Sequence, residues 1–229
     1  MADTVQDRAE YFNSLLSAQE QARAQRFKFD IHRNRFIISH GFKRSVLAKY
    51  LAVEPGSIQY VLSDKGKPSL PESENNNQDL KFNLSHTQDV SLLAVSRNIE
   101  LGIDVEFKDR KTDWQGVCQR FYTVPEQEAL FLLPKEQQQS AFFQLWTRKE
   151  AYMKVLGSGL SLPPTGFTLT VPPQAPALIQ HHSTKVQASI QVEFIDIDLP
   201  DTLSDYCATL ALESAIHEQR CYQYTGATD

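Results

Sequence analysis

From Ile99 to Glu106 the chain alternates without interruption. Ile99, Leu101, Ile103 and Val105 are apolar, and the residues after each of them are Glu100, Gly102, Asp104 and Glu106. A period of two describes a strand with one face in a core, and it sets Asp104 and Glu106 side by side on the other face. This segment constrains the fold most, because two adjacent carboxylates repel each other unless a cation lies between them. A second segment, Trp146-Thr-Arg-Lys-Glu-Ala-Tyr-Met-Lys154, has the spacing of a helix. There Glu150 and Lys154 share a face one turn beyond Trp146. Asp104, Glu106 and Glu150 make three hard oxygen donors, a set that suits Mg²⁺ held partly by protein and partly by substrate phosphates.

At 229 residues the chain can bury a sizeable core, either as one large domain or as two small ones. Its 41% hydrophobic and 22% charged residues are the proportions of a soluble globular protein. A net charge of −5 argues against nucleic acid as the main partner, since phosphate backbones want a basic face. No apolar run reaches the roughly 20 residues of a membrane span. Met1 to Asp7 shows neither a basic nor an apolar leader region, so a cytoplasmic location is expected. Cys118, Cys207 and Cys221 lack Cys-x-x-Cys spacing and read as free thiols in a reducing compartment.

Helical signals dominate the first fifty residues. Ser17-Ala-Gln-Glu20 reads as a capping box that opens a basic helix through Phe27. A second helix is expected from about Asn34 to Leu51, with Phe36, Ile37, Val46, Leu47 and Tyr50 as core contacts. Ile58–Leu62 reads as a short strand, Asp64–Pro68 as a turn and residues 71–79 as an exposed loop. Strands near Phe82–Leu84 and Val90–Ser96 precede the Ile99–Glu106 strand. Polar residues Lys108–Asp113 then suggest a linker between two halves. Beyond it, Pro125–Leu133 and Gln138–Leu156 read as helices, the latter ended by Gly157. Phe167–Val171, Val186–Ile195 and the segment from Tyr206 to Leu212 read as strands.

Three further motifs, Gly66-Lys-Pro68, Phe82-Asn-Leu-Ser-His86 and Gly157-Ser-Gly-Leu-Ser-Leu-Pro163, stand in order around these two segments. From about Ala18 to about Pro163 the chain resembles the Sfp-type 4′-phosphopantetheinyl transferases, with Gly-Ile-Asp-x-Glu and Trp-x-x-Lys-Glu-x-x-x-Lys both intact. The resemblance implies an α+β fold of two similar subdomains in a pseudo-twofold arrangement. Residues 1–107 would bind nucleotide and carry the metal strand. Residues 108–229 would carry the Trp146–Lys154 helix and dock the carrier, with the active site in the cleft between the halves. It also implies the reaction: transfer of the phosphopantetheine arm of coenzyme A to a serine of an apo acyl or peptidyl carrier protein, releasing 3′,5′-ADP.

Under this resemblance Asp104, Glu106 and Glu150 would hold Mg²⁺. Glu150 would also be the general base, directly or through a metal-bound water, and Lys154 would give charge or a proton to the leaving phosphate. Lys149 would contact substrate phosphate, although it lies about 100° round the helix from Glu150. Arg35 and Arg23 fall on nucleotide-binding positions and His86 on a phosphate-binding one, while Lys67 and Pro68 would line the adenine pocket and Ser85 add a hydroxyl. Glu20 stands where a second basic residue is common, which would leave the phosphate pocket one cation poorer. The stretch Trp114–Tyr122 would meet the carrier through apolar contact. A single chain carries both walls of the cleft, so a monomer is expected. Two other readings compete: a Mg²⁺-dependent phosphohydrolase built on the same carboxylates, and a non-catalytic module that binds coenzyme A or a carrier.

Overall fold

The computed structural model describes residues 5–73, 75, 79–108, 111, 113–157, 162–182, 191–213 and 220–223, and it is an α+β structure. Three helices come first: α1 (Val5–Ser14), α2 (Ala18–Ala24) and α3 (Asp30–Leu51). The Ser17 capping box forms as the sequence suggests. Glu20 N–H donates to Ser17 Oγ at 3.3 Å, and Ser17 N–H donates to the Glu20 carboxylate at 3.1 Å. The third helix starts at Asp30, four residues earlier than expected; Asp30 pairs with Arg33 in the first turn, where an acid complements the helix dipole. Phe36, Ile37 and Leu47 are buried and Val46 is half-buried, but Tyr50 is exposed because α3 turns Leu47, Ala48 and Leu51 inward at that end.

Glu20 lies at the centre of this helical layer. Its Oε2 accepts from Arg44 Nε at 2.5 Å, and its Oε1 lies 3.1 Å from His40 Nδ1 and 3.5 Å from Lys43 Nζ. Lys43 and Arg44 are nearly fully buried. Burial alone would raise the Glu20 pKa, but His40, Lys43 and Arg44 together hold it well below the usual carboxylate range. Burial also depresses Lys43, to about 8. The acid at a position expected to be basic therefore neutralises two buried cations and ties α2 to α3.

Of the expected Ile58–Leu62 strand, only β1 (Val61–Leu62) pairs, with β2 (Pro68–Ser69). Ile58 is a core residue whose carbonyl accepts from Arg44 Nη1 at 3.0 Å. Gly66, at φ +83°, makes the turn between these strands. In the 71–79 loop, where residues 74 and 76–78 are outside the described set, Asn75 is buried and caps Leu80 N–H at 2.8 Å. β3 (Leu80–Thr87) and β4 (Val90–Arg97) form a hairpin closed by the two-residue turn Gln88–Asp89.

β5 (Leu101–Phe107) runs beside β3, and side chains stitch the two together. Asn83 Oδ1 accepts from Ile103 N–H at 2.9 Å, and Ser85 Oγ accepts from Val105 N–H at 3.3 Å. On its other edge β5 pairs antiparallel with β9 (Tyr206–Leu212), from Leu101↔Leu212 to Phe107↔Tyr206, and β9 pairs in turn with β8 (Glu193–Asp196). Leu101, Ile103, Leu210 and Leu212 form a small core on one face of this join.

The later part of the chain adds α4 (Trp114–Phe121), α5 (Val124–Phe131) and α6 (Lys135–Val155), then β6 (Phe167–Leu169) paired with β7 (Leu178–His181). Both α4 and β7 form where no element was expected. Residues 183–190, including the first half of the expected Val186–Ile195 strand, lie outside the described residues, as do 158–161 of the Gly157–Pro163 motif and 109, 110 and 112 of the linker.

α6 crosses the back of β5 at Gly102. A Cβ built on Gly102 would stand 2.2 Å from the Ala151 carbonyl oxygen and 2.5 Å from Val155 N. Only a residue without a side chain permits this approach. On its far side α6 holds a buried pair, Lys149 and Glu126, at 2.7 Å with side chains 1% and 0% exposed.

Two outcomes follow. Gly102→Ala should force α6 off β5 and destabilise the chain by about 1–3 kcal/mol, as overpacking does, and an unchanged urea midpoint would contradict the close approach. Glu20, held below its unfolded pKa, contributes stability that is present above the ordinary glutamate value of 4.5 and lost as pH falls below it. Denaturant melts across that range should therefore show a flatter acid slope for Glu20→Gln, together with lower stability at neutral pH.

Candidate active site

Because α6 lies so near β5 at Gly102, the next inward-facing residues of strand and helix meet. Lys154 Nζ donates to Asp104 Oδ1 at 2.7 Å, to the Ile103 carbonyl at 2.9 Å and to Ser85 Oγ at 3.0 Å. Ser85 Oγ in turn donates to the same Asp104 oxygen at 2.9 Å. Asp104 is buried, and its second oxygen, Oδ2, accepts no hydrogen bond from the described residues. An unpaired carboxylate oxygen in a buried place is costly and marks a position open to a cation or donor. Burial pushes the Asp104 carboxyl above its usual range, and Lys154 pulls against it. Glu150, one turn before Lys154, is likewise raised by burial and then by the charge of Asp104.

Hard oxygen donors, one of them an orphan, have the chemistry a magnesium ion needs. Among the described residues, however, no three His, Cys, Asp or Glu side chains converge on one point closely enough to hold a metal. The Lys154 ammonium supplies the positive charge at Asp104. Glu106 follows Asp104 on the same strand face and is half-buried.

Beside this site opens a cleft of about 380 Å³, walled by Arg23, Arg35, Phe36, His40 and His86. Arg23 lies over the Phe36 ring at 5.1 Å, and His40 also stacks on that ring, 4.0 Å between centroids. Burial lowers the His86 pKa, with Lys154 and Arg35 adding to the effect. This imidazole therefore stands between the cations of the cleft and the lysine of the carboxylate site. Arg35 Nε donates to Asp89 at 2.9 Å. Aromatic surface with arginines around it suits a base and a phosphate, because the guanidinium fork matches phosphate oxygens.

Several expected residues are placed elsewhere. Lys149, expected at a substrate phosphate, is inside the second core, on Glu126 and the carbonyls of Pro164 and Phe167 at 2.7 and 2.9 Å. It lies about 100° round α6 from Glu150 and about 140° from Lys154, so it leaves the face that meets β5. Lys67 spans the join instead of an adenine pocket, bonding Glu100 at 2.9 Å and the Leu101 and Val155 carbonyls at 3.3 Å. Its backbone closes the turn with Ser63, and Pro68 pairs with Leu62. Ser85 serves Asp104. Trp146 stacks against Tyr122 and Phe142 in the core below the site, as its position suggested. Tyr122 is buried and donates to the Phe142 carbonyl at 2.7 Å, so the aromatics of Trp114–Tyr122 face inward more than a docking surface would require. Asn83, which sequence reasoning passed over, is the stitch that registers β3 on β5; its period-two spacing from Ser85 was the available signal.

Comparison with known proteins bears on the whole of this region. Residues 100–211 match the family described as the 4'-phosphopantetheinyl transferase superfamily, and residues 4–98 match 4'-phosphopantetheinyl transferase, N-terminal. The chain is 42% identical over 166 residues to 4'-phosphopantetheinyl transferase HetI of Nostoc, covering 72% of this chain and 69% of that one. It is 31% identical to a putative 4'-phosphopantetheinyl transferase of Synechocystis, across 66% of this chain and 60% of the relative. It is 30% identical to 4'-phosphopantetheinyl transferase Sfp of Bacillus subtilis, across 72% and 70%.

Proposed function

The chain belongs to the 4′-phosphopantetheinyl transferase superfamily, and on that premise we propose that it transfers the 4′-phosphopantetheine arm of coenzyme A to a serine of an apo carrier protein, releasing 3′,5′-ADP. The observation that carries this reading is the meeting of Lys154, Asp104 and Ser85 beside a cationic, aromatic cleft walled by Arg23, Arg35 and His86. A substrate with a base, a separate phosphate and a pyrophosphate fits such an extended site.

Arg23 and Arg35 grip the 3′-phosphate beside Phe36, and His86 meets the pyrophosphate or the 3′-phosphate between them and Lys154. Asp104 Oδ2 is the oxygen that would meet Mg²⁺, and Glu106 and Glu150 are the carboxylates that would have to draw in around it; the ion would supply positive charge to the substrate phosphates. The carrier serine oxygen forms a bond to the β-phosphorus, and the bond from that phosphorus to the bridging oxygen of the nucleotide breaks. The serine proton passes to Glu150, whose carboxyl is made more basic than usual by burial and by the charge of Asp104. Lys154 stabilises the charge that grows on the leaving phosphate. Residues 1–107 and 108–229 are read as two halves that build one site within a monomer. The reducing cytoplasm expected for three free thiols, two of them buried, is part of the same reading.

The direct test is to incubate the chain with coenzyme A, Mg²⁺ and an apo carrier, then weigh the carrier. A gain of one phosphopantetheine supports transfer. Free phosphate with an unchanged carrier supports hydrolysis, and coenzyme A binding with neither product supports a binding module.

Glu150→Gln should lower kcat by about 10²–10⁴-fold, the usual contribution of a general base, with coenzyme A still bound in calorimetry. Undiminished turnover would remove Glu150 from the chemistry. Coenzyme A and dephospho-coenzyme A separate the phosphate contacts. Arg35→Ala and His86→Ala should each raise KM for coenzyme A by about ten-fold, the loss of one charge-assisted hydrogen bond. For the residue that meets the 3′-phosphate, the penalty should vanish on dephospho-coenzyme A; equal penalties on both substrates would place it at the pyrophosphate.

A further inference from the structure

Arg35 and Asp89 form an ion pair at 2.9 Å, with 21% and 80% of the two side chains exposed. Asp89 is the second residue of the β3–β4 turn, three residues beyond His86, and Gln88 before it is held at φ +48°. Thr87 pairs with Val90 across the turn, and Tyr206 on β9 lies near Asp89. Thr87 and Gln88 line the cleft together with Arg35, whereas Asp89 does not. The carboxylate thus engages the Nε edge of the guanidinium from outside the set of residues that wall the cleft.

That geometry separates two roles an acid beside a phosphate-binding arginine could have. Inside the cleft it would compete with the incoming anion. Outside it, on Nε, the carboxylate fixes the guanidinium plane, and a planar fork already oriented loses less freedom when it meets a phosphate. Exposure works in the same direction, since the charge of a solvated carboxylate is screened from an anion on the far side of the arginine. Resting on the reading of the cleft as the coenzyme A site, we propose that Asp89 is a positioning residue for substrate binding, which holds Arg35 by its Nε edge so that its fork faces the nucleotide phosphate.

The test uses the full chain and measures KM and kcat for coenzyme A in Asp89→Ala, Asp89→Asn, Arg35→Ala and the Asp89→Ala/Arg35→Ala double variant. Asp89→Ala should raise KM about two- to five-fold, the range of a partly exposed ion pair, and leave kcat unchanged. Asp89→Asn keeps an oxygen acceptor for Nε and should recover most of that loss. With Arg35 already removed, Asp89→Ala should add nothing, because a residue that acts only through another has no effect without it. A lower KM in Asp89→Ala would show that the carboxylate competes with the substrate, and overturn the proposal. An equal penalty in the Arg35→Ala background would reduce Asp89 to a structural turn residue and overturn it as well. Wild-type chain that neither binds coenzyme A in calorimetry nor loads a carrier would sink the functional reading, and this proposal with it. Normal wild-type loading with an indifferent Asp89→Ala would sink the proposal alone.

Discussion

How near α6 comes to β5 decides everything in the site. The missing side chain of Gly102 lets the Ala151–Val155 turn of the helix rest on the strand backbone, closer than any Cβ would allow. At that separation a lysine side chain reaches from the helix to the carboxylate two residues along the strand, and the ammonium also finds the Ile103 carbonyl and Ser85. A larger residue at 102 would move α6 outward and lengthen the reach from Lys154 to Asp104, within the about 1–3 kcal/mol that overpacking costs there.

The charged groups of the interior sort into two kinds. Glu126 with Lys149, and Glu20 with Arg44 and Lys43, have their oxygens filled by hydrogen bonds from several directions. Glu126 accepts from Leu169 N–H and Thr123 N–H at 2.8 Å as well as from its lysine. Satisfied in this way, these acids specify how elements dock. Asp104 differs, because one oxygen carries both Lys154 and Ser85 while the other has no partner. The contrast separates carboxylates whose oxygens are filled by hydrogen bonds from one that keeps an oxygen without a partner among the described residues.

The cleft and the carboxylate site meet at His86, and this follows from the hairpin. Asn83 and Ser85 face β5 and register it, which turns His86, the next residue, to the opposite face of β3 and towards Arg35. A five-residue motif thus serves both sites by alternation: Asn83 and Ser85 stitch and support Asp104, and His86 opens onto the cleft. Transfer chemistry of the kind the family performs needs this arrangement, with a nucleotide held at one end and the reacting phosphorus at the other.

What the sequence determined by itself is local. The strand carrying Asp104 and Glu106, the turn of helix carrying Glu150 and Lys154, the Ser17 capping box and the strands on either side of residue 88 were all legible, because each depends on residues two to four apart. Family motifs added Arg23, Arg35 and His86, which do share one cleft. Only the tertiary structure decided the partners of the long charged side chains. Lys149 and Lys154 stand five residues apart on one helix, yet one enters the second core to meet Glu126 and the other reaches Asp104. Glu20 neutralises α3 rather than thinning a phosphate pocket, and Lys67 bridges the end of α6 to β5. The pairing of β5 with β9, a hundred residues later, was equally invisible. Periodicity sets which face a residue occupies, but the element that covers that face is chosen by burial and charge neutralisation across the whole chain, and no local pattern records that choice.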